Sequence, residues 1–145
     1  MKFFTALALV ALVVFLGALI YFRMVESQHG PEVGTGVLAE CPDSPNCFSA
    51  TENFRLQKDS AVKAIFAVLE DSKEMTMETT FGDYIHATSN SSLIGFVDDV
   101  EIKVEESPLA TNVSFRSASR VGRFDFGVNK KRIEALIGTL RDSIE

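Results

Sequence analysis

Two runs of residues, 93–105 and 112–119, stand on either side of Pro108, and they constrain the fold more tightly than anything else in the chain. Residues paired across an antiparallel hairpin must share a face of the sheet, so one register has to satisfy every pair at once. Folding about Pro108 sets Val104 opposite Val113, Ile102 opposite Phe115, and Glu101 opposite Arg116. Apolar side chains meet apolar ones and a carboxylate meets a guanidinium. Two independent kinds of pairing agree, which predicts an antiparallel hairpin with 106–110 as its loop.

The neighbouring segments extend this sheet. Val62, Ile65, Phe66 and Leu69 recur at helical spacing, predicting a helix over 59–71 with Asp59 or Ser60 as its cap and Lys63, Glu70 and Asp71 outward. The period then changes to two: Met75, Met77, Thr79 and Phe81 alternate with Thr76, Glu78 and Thr80, as in a half-buried strand. Gly82 and Asp83 form a turn, 84–88 a second strand and 89–92 another turn. Near the end, Ile133, Leu136, Ile137 and Leu140 predict a last helix capped by Asn129. The expected fold class is α+β: two layers, an antiparallel four-stranded sheet packed by two helices in the order helix, four strands, helix, preceded by one transmembrane helix.

That anchor is expected from residues 3–22, which carry no charge and are interrupted only by Thr5 and Gly17. About 20 helical residues cover the roughly 30 Å hydrocarbon core. A cleaved secretory signal is the alternative, but the run ends in Ile20, Tyr21, Phe22 and Arg23, without the small residues of a cleavage site. Lys2 and the free amino terminus outweigh Arg23, which favours a cytoplasmic amino terminus. The expected division is therefore a transmembrane anchor at 1–23, a flexible linker at 24–40 containing Gly30, Pro31, Gly34 and Gly36, and an extracytoplasmic domain at 41–145. Cys41 and Cys47 bracket a turn-forming PDSPN loop, and outside the cytoplasm they are expected to form a disulfide. Reduced thiols are the alternative should the orientation be reversed. A zinc site needs four ligands and a redox pair is more usually C-x-x-C.

Charge is unevenly distributed. The formal net charge is −6, yet residues 116–132 hold Arg116, Arg120, Arg123, Lys130, Lys131 and Arg132 against the single acid Asp125. Such a segment either neutralises the protein's own carboxylates or binds an external anion. For the first use the candidate network is Asp98, Asp99 and Glu101 with Arg116, Arg120 and Arg123; Asp98 and Asp99, being neighbours in a strand, are expected to face opposite sides. For the second, the candidate ligand-binding residues are Arg116, Arg120, Gly122, Gly127, Asn129, Lys130 and Arg132, with backbone donors at the helix start and glycines allowing close approach. Lys130, Lys131 and Arg132 oppose the helix dipole there, a cost that an outside anion such as a lipid head group would offset. A hydrolase would draw on Ser117 or Ser119 with His86 and Asp98, and a metal site on Asp98, Asp99 and Glu101, but neither shows a recognisable spacing. No catalytic residue, cofactor or metal is assigned, and the net charge argues against nucleic acid as a partner.

The blocks CPDSPNC from Cys41, GFVDDVEIKV from Gly95 and RSASRVGRFDFGVNKKRIE from Arg116 together resemble the bacterial and plastid domain-of-unknown-function family 1499. The resemblance runs from about Cys41 to Leu140 and departs from the family pattern at Phe48, Ser49 and Ala50, where a small, serine-rich run is usual. It implies an envelope or lumenal domain, often membrane-tethered, with no established activity. The resulting expectation is a single-pass protein of the bacterial inner membrane whose periplasmic domain binds a partner or organises the envelope. Its expected partners are the bilayer and either an anionic ligand or an envelope protein.

Overall fold

The structure, a computed structural model, describes residues 2–25, 34–90 and 96–144. After helix α1 (Lys2–Val25) come β1 (Cys47–Phe54), α2 (Lys58–Asp71), β2 (Met75–Phe81), β3 (Tyr84–Asn90), β4 (Val97–Ser107), β5 (Ala110–Ser119) and α3 (Val128–Ile144). The five strands form one antiparallel sheet in the order β1-β5-β4-β3-β2. Strands β2 to β5 run as a meander, and β1 returns to pair with the last of them. Helices α2 and α3 pack against one another and against a single face of the sheet.

The fold class is α+β with two helices on the sheet, as expected, but the sheet has five strands rather than four. The additional strand is β1, whose residues Phe48, Ala50 and Phe54 point to the helices while Glu52 occupies the same phase. At the sheet edge Glu52 escapes burial and accepts a bond from Arg141 Nη2 at 2.5 Å. A carboxylate in the apolar phase hides the alternation that would mark a strand.

The hairpin register is the expected one: Val104 pairs with Val113, Ile102 with Phe115 and Glu101 with Arg116. Its loop is tighter than 106–110, because Ser107 and Ala110 are themselves paired and only Pro108 and Leu109 turn the chain. Residues 93–95, expected to start this strand, lie outside the described residues. In β2 a register shift between Met77 and Thr79 reverses the phase. Met75 and Met77 pack on the core, whereas Phe81 is turned to the opposite face.

The core lies between the sheet and the helices. Ala61, Ile65 and Leu69 of α2 and Ile133, Leu136, Ile137 and Leu140 of α3 close on Ile85, Ala87, Val100, Ile102, Val104, Val113 and Phe115. Helix α2 begins one residue earlier than expected; its cap is Gln57, which makes no side-chain bond, and Asp59 sits in the first turn.

Residues 34–40, expected to be part of a flexible linker, lie on the sheet face opposite the helices. There Gly34 N donates to Tyr84 Oη at 2.9 Å, Ala39 N to Glu101 Oε1 at 3.4 Å, and Lys103 Nζ to Gly36 O at 3.1 Å. Gly36 has φ +86, a backbone conformation that favours glycine, and a Cβ there would stand 3.0 Å from the exposed Phe81 ring, which would have to give by a few tenths of an ångström. In α1 the structure describes the side chains of residues 8–21, and all are exposed. Among the described residues no helix is long and apolar enough to cross a membrane; the expected span of 3–22 extends beyond residues 8–21, whose side chains are described.

Candidate functional site

Antiparallel pairing sends alternate residues of β3, β4 and β5 to opposite faces, and this sorts the polar side chains into two groups. Tyr84, His86, Asp99, Glu101 and Arg116 face away from the helices; Asp98, Ser117 and Ser119 face towards them.

On the outer face, Glu101 is 0 % exposed and Arg116 2 %. Arg116 Nη1 donates to Glu101 Oε2 at 2.5 Å and Tyr84 Oη donates to Glu101 Oε1 at 2.6 Å. Residues 34–39 cover this group. Burial, then the bond to Glu101, pushes the Tyr84 phenol well above its usual range. Arg116 Nε is buried without a hydrogen-bond partner among the described residues. Beside it, Asp99 accepts from Arg120 Nε at 3.0 Å and Arg120 Nη2 at 2.7 Å, and its Oδ1 lies 2.8 Å from His86 Nε2. Burial alone would push the pKa of Asp99 up; the bonds to His86 and Arg120 outweigh it and hold the carboxyl at about 2. The same Asp99 bond raises Arg120 above the ordinary guanidinium value. At the turn before β3, hydrogen bonds from Lys103 and then Lys58 hold Asp83 at about 2.

On the helix side, Arg132 Nη2 donates to Asp98 Oδ2 at 2.7 Å, and its Nη1 donates to Asn129 Oδ1 at 2.8 Å and Ser117 Oγ at 2.9 Å. Asn129, fully buried, also accepts from Ser117 Oγ at 2.6 Å and donates to Ser119 Oγ and to Asn46 O, both at 2.9 Å. Asn46 stands inside the loop closed by the Cys41–Cys47 disulfide, whose sulfur atoms are 2.04 Å apart. Its Nδ2 donates to Gly122 O, and its carbonyl also accepts from Ser119 N at 3.0 Å. A polar clasp thus ties the disulfide loop, the end of β5 and the start of α3 together. Residues 41–47, 98 and 117–132 meet at one end of the sheet.

The candidate residues fall into place as follows. Asp98, Asp99, Glu101 and Arg116 are all ion-paired internally, and Asp98 and Asp99 do face opposite sides. Arg120 and Arg132 complete the pairs; Arg123 takes no part in them and its side chain is exposed. Asn129 is a buried residue of the first helical turn rather than its cap. That role belongs to Asp125, whose Oδ1 accepts from Gly127 N at 2.9 Å and Oδ2 from Asn129 N at 2.8 Å. Two of the backbone donors expected to face an external anion, Gly127 N and Asn129 N, are thereby taken up by the chain's own carboxylate. Gly127 has φ +77 and nothing within 4 Å of an added Cβ, so it serves backbone handedness rather than close approach; Gly122, at φ +88, is similar. Lys130 pairs with Glu134 at 3.7 Å and lies 5.9 Å above the Phe48 ring.

The hydrolase set does not assemble, because the sheet separates His86 on one face from Ser117, Ser119 and Asp98 on the other. Among the described residues no group of three or more His, Cys, Asp or Glu side chains is placed to hold a metal ion. Sequence reasoning missed Asn46, Tyr84 and Asp125. Asn46 and Asp125 carried a signal, since Asn46 sits in a constrained loop and Asp125 lies just ahead of a helix. It also missed Phe124 and Phe126, which are 72 % and 94 % exposed.

The family described as a protein of unknown function, DUF1499, matches residues 37–140. No curated protein matches the chain.

Proposed function

We propose, for a chain that belongs to the DUF1499 family, the role of a membrane-tethered module that binds a partner or organises the cell envelope outside the cytoplasm, rather than that of an enzyme. The observation that carries this reading is the use made of the reactive side chains. His86, Asp98, Asp99, Glu101 and Arg116 each sit in an internal pair, and all five are buried. Such pairs hold strands and helix in register; they leave the surface to do the binding. The Cys41–Cys47 disulfide supports an oxidising compartment, in bacteria the periplasm. The uncharged run 3–22 supports a single-pass anchor in the inner membrane.

A second reading is a binder of an anionic ligand or lipid through the Arg116 to Arg132 segment. With Arg116, Arg120 and Arg132 engaged internally, the exposed Arg123 and Lys131 carry it. The test of the leading reading is a pair of carboxy-terminal reporters on the full chain, one active only in the cytoplasm and one only outside it, with alkaline extraction of membranes. Activity of the external reporter and retention in the extracted membrane are expected. Cytoplasmic activity, or release by alkali, overturns the reading.

A further inference from the structure

We propose that the loop Phe124 to Val128, with Arg123 and Lys131 at its margins, is a contact site for the surface of an anionic lipid bilayer. Phe124, Phe126 and Val128 are 72 %, 94 % and 45 % exposed, at alternate positions of the loop and the first residue of α3 that follows it. Phe126 also has a left-handed backbone, with φ 54. That conformation disfavours a bulky side chain, and one so exposed contributes nothing to the core. Neither packing nor backbone preference accounts for a phenylalanine there.

Charge distinguishes the occupant. Arg123 and Lys131 are exposed, and neither side chain has an ion pair among the described residues. Asp125, the acid in their midst, has its carboxylate occupied by Gly127 N and Asn129 N. The chain as a whole carries −6, so a negatively charged surface repels most of the domain and attracts this corner. Aromatic side chains between cations are the composition that settles at the boundary between head groups and acyl chains. A protein partner is disfavoured by size. Two phenylalanines at about 150–250 Å² each and a valine fall short of the roughly 800 Å² per partner of a stable protein interface. Exposed apolar side chains need no complementary cavity in a fluid bilayer.

This deepens the second reading above and rests on the tethered one, which brings the loop within reach of a membrane. The chain contains no tryptophan, so Phe126→Trp introduces a single fluorescent reporter in the loop. The full-length variant is reconstituted in vesicles of phosphatidylcholine alone or mixed with phosphatidylglycerol, and flotation is measured together with emission and quenching by brominated acyl chains. With phosphatidylglycerol, blue-shifted emission and quenching are expected, both reversed by added salt. Adding Arg123→Glu and Lys131→Glu is expected to lower the membrane-facing fraction tenfold or more without changing the thermal melt. Water-like emission in every vesicle, from protein that floats and melts normally, overturns the lipid contact while leaving the tether intact. Failure to float overturns the tether instead; the same variant titrated with the same vesicles then tests the loop by itself, with the same two outcomes.

Discussion

Arg116→Met strands a carboxylate. In the native fold Glu101 is 0 % exposed and is held by Arg116 Nη1 at 2.5 Å, Tyr84 Oη at 2.6 Å and, more weakly, Ala39 N at 3.4 Å. Without the guanidinium, two neutral donors remain for a full buried charge. Removing one partner of a buried pair costs about 3–5 kcal/mol. With a urea slope of about 1.5 kcal/mol per molar, the unfolding midpoint should fall by about 2–3 M. The assay is urea unfolding of the disulfide-intact full chain in detergent, followed by circular dichroism. The double variant Glu101→Leu with Arg116→Met is the control: it removes both charges and the unpartnered Arg116 Nε, and should lie within about 1–2 kcal/mol of the native protein. A loss below about 1 kcal/mol for the single variant would refute the pairing argument. So would a double variant as unstable as the single one.

Other expectations concern acid, the disulfide and the exposed loop. Asp99 is held at about 2 against an ordinary 3.8, so its ionised form contributes stability that is fully present above about pH 4 and lost as pH falls through about 2. The loss should be roughly 2 kcal/mol, and Asp99→Asn should remove that part of the acid limb in melts taken across this range; an unchanged limb would contradict it. Replacing Cys41 and Cys47 by Ser should lower stability by about 2 kcal/mol, the loop-closure estimate for so short a loop, measured by denaturant titration. Phe126→Gly relieves a left-handed position and should leave stability unchanged or raise it by about 1 kcal/mol; a clear loss would show that the ring packs after all.

The sheet's centre was legible in the chain because β4 and β5 carry two kinds of complementary pair in one register, and local spacing suffices to align them. Elsewhere the signal was local while the cause was not. In β1 the carboxylate of Glu52 breaks the alternation, and only its distance to Arg141 in the folded chain explains why it is tolerated. In β2 the register shift after Met77 turns Phe81 away from the core and against Gly36, which no periodicity predicts. Residues 34–40 read as a linker from their glycines, yet their backbone groups are bound to Tyr84, Glu101 and Lys103. Within the basic segment, Arg116 has its partner directly across a hairpin. Arg132 reaches Asp98 only because α3 folds back over the sheet. The exposure of Phe124 and Phe126 is a three-dimensional fact with no local sequence mark.

In this molecule the polar interior is structural and the loop before α3 meets the outside. Hydrogen–deuterium exchange of the full chain in bilayers, with and without anionic lipid, tests it most directly. Added protection confined to about residues 121–131, with Tyr84 to Thr88 and Asp98 to Glu101 unchanged, is the predicted result. Protection arising instead along β3 and β4, with the loop unaffected, would place binding on the ionic face of the sheet and rule the loop out.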